Sequence, residues 1–308
     1  MEDMHKYISE IMDQRQMRAN YNEMMHQALQ DSEVQAFLTA HQAELADDAI
    51  DRGAAKIYEF VSERDKVRDG GQPFAPGYRP QLIVSNRLID ITYVPTAAKQ
   101  AADEAREQAS LVTAINMPKS IADASLRNYD PTNRTQALVA ANDFYLAQVA
   151  DPKHFHQALF LTGPFGVGKT YLLGAIANDL AKRGQASMLL HYPTFTVDMK
   201  NAIGENRVTP MLNRVKRAPI LMLDDIGAES MSPWIRDDVL GVILQYRMQE
   251  ELPTFFSSNK TLDELALFLA GNDRGDDEAV KAQRIMQRIR FLSREIEVGG
   301  ENRRLGQA

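Results

Sequence analysis

The feature that most constrains this chain is a glycine-rich loop between a short apolar run and a helical run. The octapeptide Gly163-Pro164-Phe165-Gly166-Val167-Gly168-Lys169-Thr170 follows the run ALFL at 158–161 and precedes YLLGAIANDLAKR, which begins at Tyr171. Its glycines allow successive N–H groups to face a phosphate, and the N-terminus of the next helix attracts the same anion. In this pattern Lys169 reaches the β- and γ-phosphates and Thr170 offers its hydroxyl to Mg²⁺. An ordinary glycine-rich turn is the alternative, but motif and context together predict a nucleotide site at 163–171.

The chain around this loop alternates helical segments with short apolar runs after Asp130-Pro131. The runs lie at 158–161, 188–190, 220–223 and 254–257. Continuous apolar runs of this length, separated by helices, are typical of a parallel sheet covered on both faces. The sequence therefore predicts an α/β fold.

Two of these runs end in polar groups that suit phosphate chemistry. Asp224 and Asp225 follow the run at 220–223, and Asn259 follows the one at 254–257. In a phosphate-loop enzyme one carboxylate holds the Mg²⁺ shell and a neighbour activates the attacking water. We therefore assign Asp224 to the metal and Asp225 to the water, and take Asn259 as a candidate to bridge the γ-phosphate and that water. Ordinary turn or helix-cap chemistry is the alternative for all three.

The carboxyl-terminal segment is basic. Its helical run VKAQRIMQRIRFL holds Arg284, Arg288 and Arg290, and GENRR follows with Arg303 and Arg304. Arg284 and Arg288 lie four residues apart and share a helix face. A guanidinium delivered to a nucleotide from outside stabilises transition-state charge, whereas most arginines on helix faces are simply solvated.

The first 95 residues have a different character. Helical spacings fill the first 65 or so, a glycine- and proline-rich loop covers 69–80, and two β-branched runs between 82 and 94 predict a hairpin turning at Ser85-Asn86. Residues 97–114 favour helix and could connect two domains. We predict an N-terminal domain at 1–95, a linker at 96–130 and a second domain at 131–308.

Charge and cysteine content exclude several classes of protein. The net charge is −7, and residues 1–69 alone hold 8 basic and 15 acidic side chains, so the chain does not coat nucleic acid through bulk charge. The absence of cysteine excludes disulfides, thiol catalysis and cysteine-ligated metals. With no run long enough to span a membrane and no secretory signal at the amino terminus, we expect a cytoplasmic protein that does not enter membranes.

Several motifs together resemble one family. GPFGVGKT, LMLDDIGAES, PTFFSSN, RIMQRIRFL and GENRR look like those of the AAA+ helicase loaders of bacterial replication, and most resemble the DnaI-type primosomal loaders. QAFL, IYEF and GYRPQLIV extend the resemblance more loosely to the front of the chain. It implies a five-stranded parallel sheet in the order 5-1-4-3-2, with a small, mainly helical N-terminal domain that carries the hairpin.

The resemblance also implies a function. The chain would be an ATPase that uses ATP and Mg²⁺, binds the replicative hexameric helicase through its N-terminal domain and binds single-stranded DNA through its AAA+ domain. It would self-associate in the helicase complex and contact other primosome proteins. A transposase-assisting AAA+ ATPase and a nucleotide-sensing adaptor that does not hydrolyse ATP are the alternatives. The acidic N-terminal domain favours the loader, and the complete set of polar site residues is evidence against the adaptor.

Carried over residue by residue, the resemblance makes Asp225 and Asn259 catalytic. Arg288 best fits the finger that acts on a neighbouring subunit, with Arg284 as the other candidate. Arg303 best fits a sensor of the nucleotide in its own subunit. Relatives often hold zinc with cysteines and a histidine near G-Y-H-P, but this chain has no cysteine and has Arg79 at the histidine position, so no zinc is expected.

The DNA contacts are predicted from a mixed segment between the second strand and Asp224. Phe195, Lys200 and Arg214 combine an aromatic ring that could stack on a base with cations that could follow a phosphate backbone. Solvated helix faces are the alternative for these side chains.

Overall fold

The computed structural model describes residues 23–228, 231–271 and 276–303, with the side chains of 276 and 277 outside that description. Expectations that fall on residues 1–22 or on Arg304 lie outside the described residues. Spatial contacts divide the chain into two compact units, Met1–Ala105 and Arg106–Ala308. The division lies inside the segment 96–130 that the sequence predicts as a linker, and the domain limits themselves stay a prediction.

The first unit packs helices on a β-hairpin. Residues 23–29 are helical, followed by α1 (Ser32–Ala40), α2 (Ala49–Arg68), β1 (Tyr78–Ser85) and β2 (Leu88–Pro95). The strands pair antiparallel with Ser85 opposite Leu88, so the turn is Asn86-Arg87, one residue later than predicted. Both turn residues have positive φ, 50° and 62°, as a two-residue hairpin loop of this twist requires. The core consists of Ala28, Val34, Ala49, Ile57, Phe60, Leu82 and Ile89.

Two sets of polar contacts stabilise this unit, one between its helices and one between a helix and the glycine- and proline-rich loop. Asp31 caps α1 and accepts two hydrogen bonds of 2.7 Å from Arg64 on α2, which lowers the pKa of the aspartate. The carboxylate of Glu63 accepts the backbone N–H of Phe74 at 2.7 Å and pairs with Lys66 at 2.6 Å. The glycine- and proline-rich loop is therefore attached to α2 by a buried carboxylate.

The second unit is built on a parallel sheet with helices on both faces. Its elements are α3 (Ala97–Leu111, which contains the division point), β3 (Val112–Ile115), α4 (Thr135–Ala150), β4 (Ala158–Thr162), α5 (Lys169–Ala181), β5 (Ser187–His191), α6 (Tyr192–Ala202), α7 (Val208–Lys216), β6 (Ile220–Asp224), α8 (Gly241–Gln249), β7 (Thr254–Ser258), α9 (Leu262–Ala270), α10 (Asp276–Leu292) and β8 (Ser293–Glu297). The strand order is β3-β5-β6-β7-β4-β8.

The predicted fold class is confirmed, with a correction to the strand count. The five predicted strands are neighbours in the predicted order, β8-β4-β7-β6-β5, and β3 adds a sixth strand at the edge beside β5. This strand falls in the stretch predicted to favour helix or linker. The helix ends at Leu111 because the next four residues, Val-Thr-Ala-Ile, are largely β-branched and pair with Ser187–Leu190.

Side chains alternate between the two faces of the sheet. Leu159 and Leu161 of β4 join the core on one face, and Phe160 joins the core on the other. At the amino ends of the strands, the fully buried Arg247 of α8 donates to the carbonyls of Ala218 at 2.6 Å and Pro253 at 2.7 Å. These contacts close one end of the sheet. Among the described helices, none combines the length and apolar character that crossing a membrane requires.

Candidate nucleotide site

Strand order brings the three polar motifs together. The phosphate loop follows β4, Asp224 ends β6, and Asn259 follows β7, which lies between those two strands. The carboxyl ends of parallel strands meet at the same edge of a sheet, where open α/β folds bind their ligands. The phosphate loop, the two carboxylates and the amide therefore form one cluster.

The loop has the backbone that its glycines predict. Gly166 and Gly168 have φ of 78° and 98°, which a residue with a side chain rarely adopts. Lys169 begins α5 and is 8 % exposed. Its Nζ donates to the carbonyls of Gly163 at 2.6 Å and Pro164 at 2.8 Å. The ammonium therefore lies inside the loop, at the position from which it would meet a phosphate.

Asp224 is more deeply buried than Asp225. The hydroxyl of Thr170 donates to both carboxylate oxygens at 3.0 Å, and the hydroxyl of Ser257 donates at 2.5 Å. The side chain is nearly fully buried, and burial raises its pKa, while the two hydroxyls act in the opposite direction. Thr170 and Asp224 thus present adjacent oxygen atoms of the type that Mg²⁺ prefers.

Asp225 is held by β7 in a left-handed backbone conformation. Its φ is 63°, and its N–H donates to the hydroxyl of Ser257 at 3.0 Å. The amide of Asn259 donates to Asp225 at 3.3 Å and accepts from Lys169 at 2.7 Å, so it connects the second carboxylate to the phosphate loop. His191, which sequence reasoning missed, ends β5 with its Nε2 3.9 Å from Asp225.

Arg303 lies beside the phosphate loop of its own subunit. Its backbone N–H donates to the carbonyl of Gly166 at 3.1 Å, and its guanidinium pairs with Asp130. The segment around Arg303 therefore contacts the phosphate loop through its backbone, and the guanidinium of Arg303 is about half exposed.

A second arginine near the loop was not anticipated from the sequence. Arg134 is 4 % exposed, its guanidinium lies 5.8 Å from the ring centre of Tyr129, and its Nη1 lies 3.3 Å from the point that a Cβ on Gly168 would occupy. Within the described part of the chain its Nε has no hydrogen-bond partner. A basic residue directly before a helix is common, so the sequence carries no signal for this position.

The candidate finger lies elsewhere in the fold. Arg288 is partly buried on α10 and donates to the carbonyl of Gly241 at 2.9 Å. Burial and the neighbouring Arg284 lower its pKa. Arg284 is exposed on the same helix. The structure therefore does not bring Arg288 into the cluster of its own subunit, as a residue acting on a neighbour requires.

The predicted DNA contacts divide into two groups. Phe195 is 2 % exposed and packs in the core near Tyr192, with ring centres 6.3 Å apart, so it has no free face for a base and that assignment is corrected. Periodicity placed it on a helix but did not reveal which face α6 buries. Lys200 on α6 and Arg214 on α7 are exposed.

The residues of the cluster fit a nucleotide and Mg²⁺. Gly166 and Gly168 turn the loop with positive φ, Lys169 supplies positive charge, and the Nη1 of Arg134 lies toward Gly168. No group of three or more His, Asp or Glu that could hold a metal occurs in the described residues. A Mg²⁺ held with phosphates needs only one or two protein oxygens, and Thr170 and Asp224 supply them.

Comparison with known proteins agrees with this geometry. Residues 1–93 match the family model "Primosomal protein DnaI N-terminus", and residues 97–308 match "IstB-like ATP binding protein". The replicative helicase loader DnaI of Bacillus subtilis is 35 % identical over 311 residues, covering 99 % of both chains.

Two solved structures each match about two thirds of the chain. A crystal structure of DnaI is 44 % identical with a TM-score of 0.56, covering 64 % of this chain and 99 % of its own. A structure from Streptococcus pyogenes serotype M3, solved as a candidate primosome component, is 38 % identical with a TM-score of 0.52, covering 64 % of this chain and 97 % of its own.

Proposed function

This chain belongs to the family of DnaI replicative helicase loaders, with an ATP-binding part of the IstB-like type, and we propose that it delivers the replicative hexameric helicase onto single-stranded DNA under the control of ATP. The observation that carries the proposal is the contact network that joins the phosphate loop to Asp225 through Asn259 and to Asp224 through Thr170. The match of residues 1–93 to the DnaI N-terminus on the same chain supports a dedicated helicase-binding domain.

The ATPase chemistry follows from the cluster. Lys169 and the N–H groups of the loop would bind the phosphates, and Thr170 with Asp224 would hold Mg²⁺, which neutralises charge on the transferring phosphate when bound. Asn259 donates to Asp225 at 3.3 Å, so the two would orient the attacking water together and the carboxylate of Asp225 would accept its proton. Because Asn259 also contacts Lys169, it would sense whether the γ-phosphate is present.

Two arginines would complete the reaction from different sides. Arg303 would reach the nucleotide of its own subunit, and its backbone contact with Gly166 supports that placement. Arg288 would act on the nucleotide of a neighbouring subunit after leaving the carbonyl of Gly241. Hydrolysis would then depend on self-association, which suits a protein that works on a hexameric ring.

The test uses the full-length chain and the replicative helicase of the same organism, mixed with ATP and Mg²⁺ and separated by gel filtration with light scattering. We expect a stable complex, and we expect Lys169→Ala to keep helicase binding while losing nucleotide binding. Phosphate release is measured in parallel with and without single-stranded DNA. Failure to form the complex would overturn the loader function, and absence of hydrolysis in every condition would overturn the ATPase function.

A further inference from the structure

A short π-helix, Ile235–Leu240, leads directly into α8. Its backbone hydrogen bonds span one residue more than those of an α-helix, and such segments are rare and frequent at functional sites. The π-helix ends where the N–H of Gly241 donates to the carbonyl of Arg236, five residues earlier. No residue of this segment belongs to the nucleotide cluster described above, so that cluster does not explain its conformation.

Arg236 joins the start of the π-helix to two other helices. Its side chain is 5 % exposed. The guanidinium donates to Asp237 at 2.7 and 2.8 Å, to the carbonyl of Leu269 in the last turn of α9 at 3.1 Å, and to Glu278 on α10. A planar guanidinium with five donors binds several acceptors in fixed directions. The start of the π-helix is therefore attached to the first part of α10.

The end of the π-helix contacts the same helix through Arg288. The carbonyl of Gly241 accepts a hydrogen bond from the Nη1 of Arg288 at 2.9 Å. A Cβ on Gly241 would lie 3.5 Å from that Nη1, so a side chain longer than a methyl group would displace the guanidinium. Because the N–H of Gly241 binds the carbonyl of Arg236, one chain of contacts runs from Arg236 through Gly241 to Arg288.

The partner of Arg288 is neutral. Among the residues that the structure describes, no carboxylate pairs with it, whereas Arg290, two residues later, pairs with Asp263 at 2.7 Å. A carbonyl keeps a guanidinium in place without neutralising its charge, and an anionic phosphate forms the stronger, charge-assisted hydrogen bonds. The contact with Gly241 therefore places Arg288 without preventing its transfer to a phosphate.

We propose that Arg236 is a positioning residue for the finger, because its contact with Glu278 and its carbonyl bond to Gly241 determine where Arg288 is held on α10. The inference rests on the finger role of Arg288 in the proposed function and adds the residues that place it. The two contacts with α10 lie ten residues apart, about 15 Å along the helix axis. Together they determine both the position and the tilt of α10, and a displacement of about 1 Å is enough to disable a catalytic group.

The test measures phosphate release by the full-length chain with the replicative helicase and single-stranded DNA present, over a range of ATP concentrations. Arg236→Met should lower kcat about 10- to 100-fold and leave ATP affinity, measured by calorimetry, unchanged. Glu278→Gln, at a partly exposed position, is the milder variant and should lower kcat in the same direction. The matched control is Asp238→Asn, the same type of change at an exposed position of the same π-helix, and it should keep the parental kcat.

A double variant separates positioning from a general loss of stability. In the Arg288→Ala background, Arg236→Met should change kcat by less than about 2-fold, because a residue that acts through the finger then has nothing left to position. A substitution that only weakens the fold lowers kcat by the same factor in both backgrounds. Melting temperatures are measured for every variant, and if Arg236→Met does not fold, Glu278→Gln takes its place in both backgrounds.

Failure of this inference can be distinguished from failure of the proposed function. If Arg288→Ala loses phosphate release but the Arg236 and Glu278 variants keep the parental kcat, or lose it equally in both backgrounds, the finger stands and the positioning role is wrong. A higher kcat in Arg236→Met would also overturn the inference, because the contact with Gly241 would then restrain the finger. If Arg288→Ala keeps phosphate release, the finger and its positioning fail together, and a parent chain without hydrolysis in every condition overturns the ATPase function itself.

Discussion

Replacing Arg134 by methionine tests whether the buried guanidinium beside the phosphate loop serves the nucleotide or the fold. Its Nη1 lies 3.3 Å from the point that a Cβ on Gly168 would occupy, whereas its Nε, which has no partner among the described residues, lies toward Gly300. A group buried in this way to stabilise the fold is normally paired, because an unpaired polar group costs about 1–3 kcal/mol. We therefore infer that the guanidinium serves the bound nucleotide, through the Nη1 that lies toward Gly168.

The two roles predict different effects: a nucleotide-binding role predicts a large loss of ATP affinity with little change in melting temperature, and a structural role predicts the reverse. Without nucleotide, Arg134→Met removes a cation–π contact with Tyr129, worth about 0.5–2 kcal/mol. The substitution also removes a buried donor that has no partner. Such a donor costs the folded state about 1–3 kcal/mol, so its removal is stabilising. These effects nearly cancel, and methionine keeps most of the stem packing, so the melting temperature should change by less than about 4 °C. With ATP, loss of one charge-assisted hydrogen bond of about 1.5–3 kcal/mol should weaken binding about 10- to 100-fold.

The assay combines thermal unfolding of the ATP-free protein with titration of ATP by calorimetry. Arg127→Met, an exposed arginine on the same segment, is the control and should change neither quantity. A drop in melting temperature of about 10 °C or more, with unchanged ATP affinity, would refute the reasoning and make Arg134 a structural residue.

Three further variants test the assigned site. Lys169→Ala should abolish measurable ATP binding by calorimetry, and retained turnover would place the site elsewhere. Arg288→Ala should lose phosphate release and keep ATP affinity, with Arg284→Ala as the paired measurement that decides between the two candidate fingers. Asp224→Asn should lose Mg²⁺-dependent hydrolysis yet raise the melting temperature of the protein at pH 7. Burial raises the pKa of Asp224, so its charged form costs stability at neutral pH, and the gain should shrink as pH falls toward 4 because the carboxyl then becomes protonated.

The sequence predicted those parts of the structure that local chemistry determines. A phosphate loop needs glycines and a lysine at fixed spacing, and a buried parallel strand needs a continuous apolar run. These signals located four of the six strands of the sheet, both carboxylates and Asn259. They also predicted the hairpin, although its turn lies one residue later because Asn86 and Arg87, not Ser85, adopt positive φ.

The missed features depend on contacts between distant segments. The edge strand β3 is only four residues long and exists because β5 offers a free edge. His191 becomes relevant because β5 lies next to β6 in the sheet. The burial of Phe195 could not be predicted, because the face that α6 turns toward the core is set by the strands beneath it.

The distribution of charge explains how one acidic chain could serve two partners of opposite character. Residues 1–69 account for a charge of −7, equal to that of the whole chain, whereas residues 192–217 carry an excess of cations. Charges farther apart than about 8 Å are largely screened at physiological salt. A DNA strand would therefore respond to the exposed cations of α6 and α7 and not to the net charge. The same reasoning assigns the acidic domain to a protein partner, since an acidic surface repels DNA.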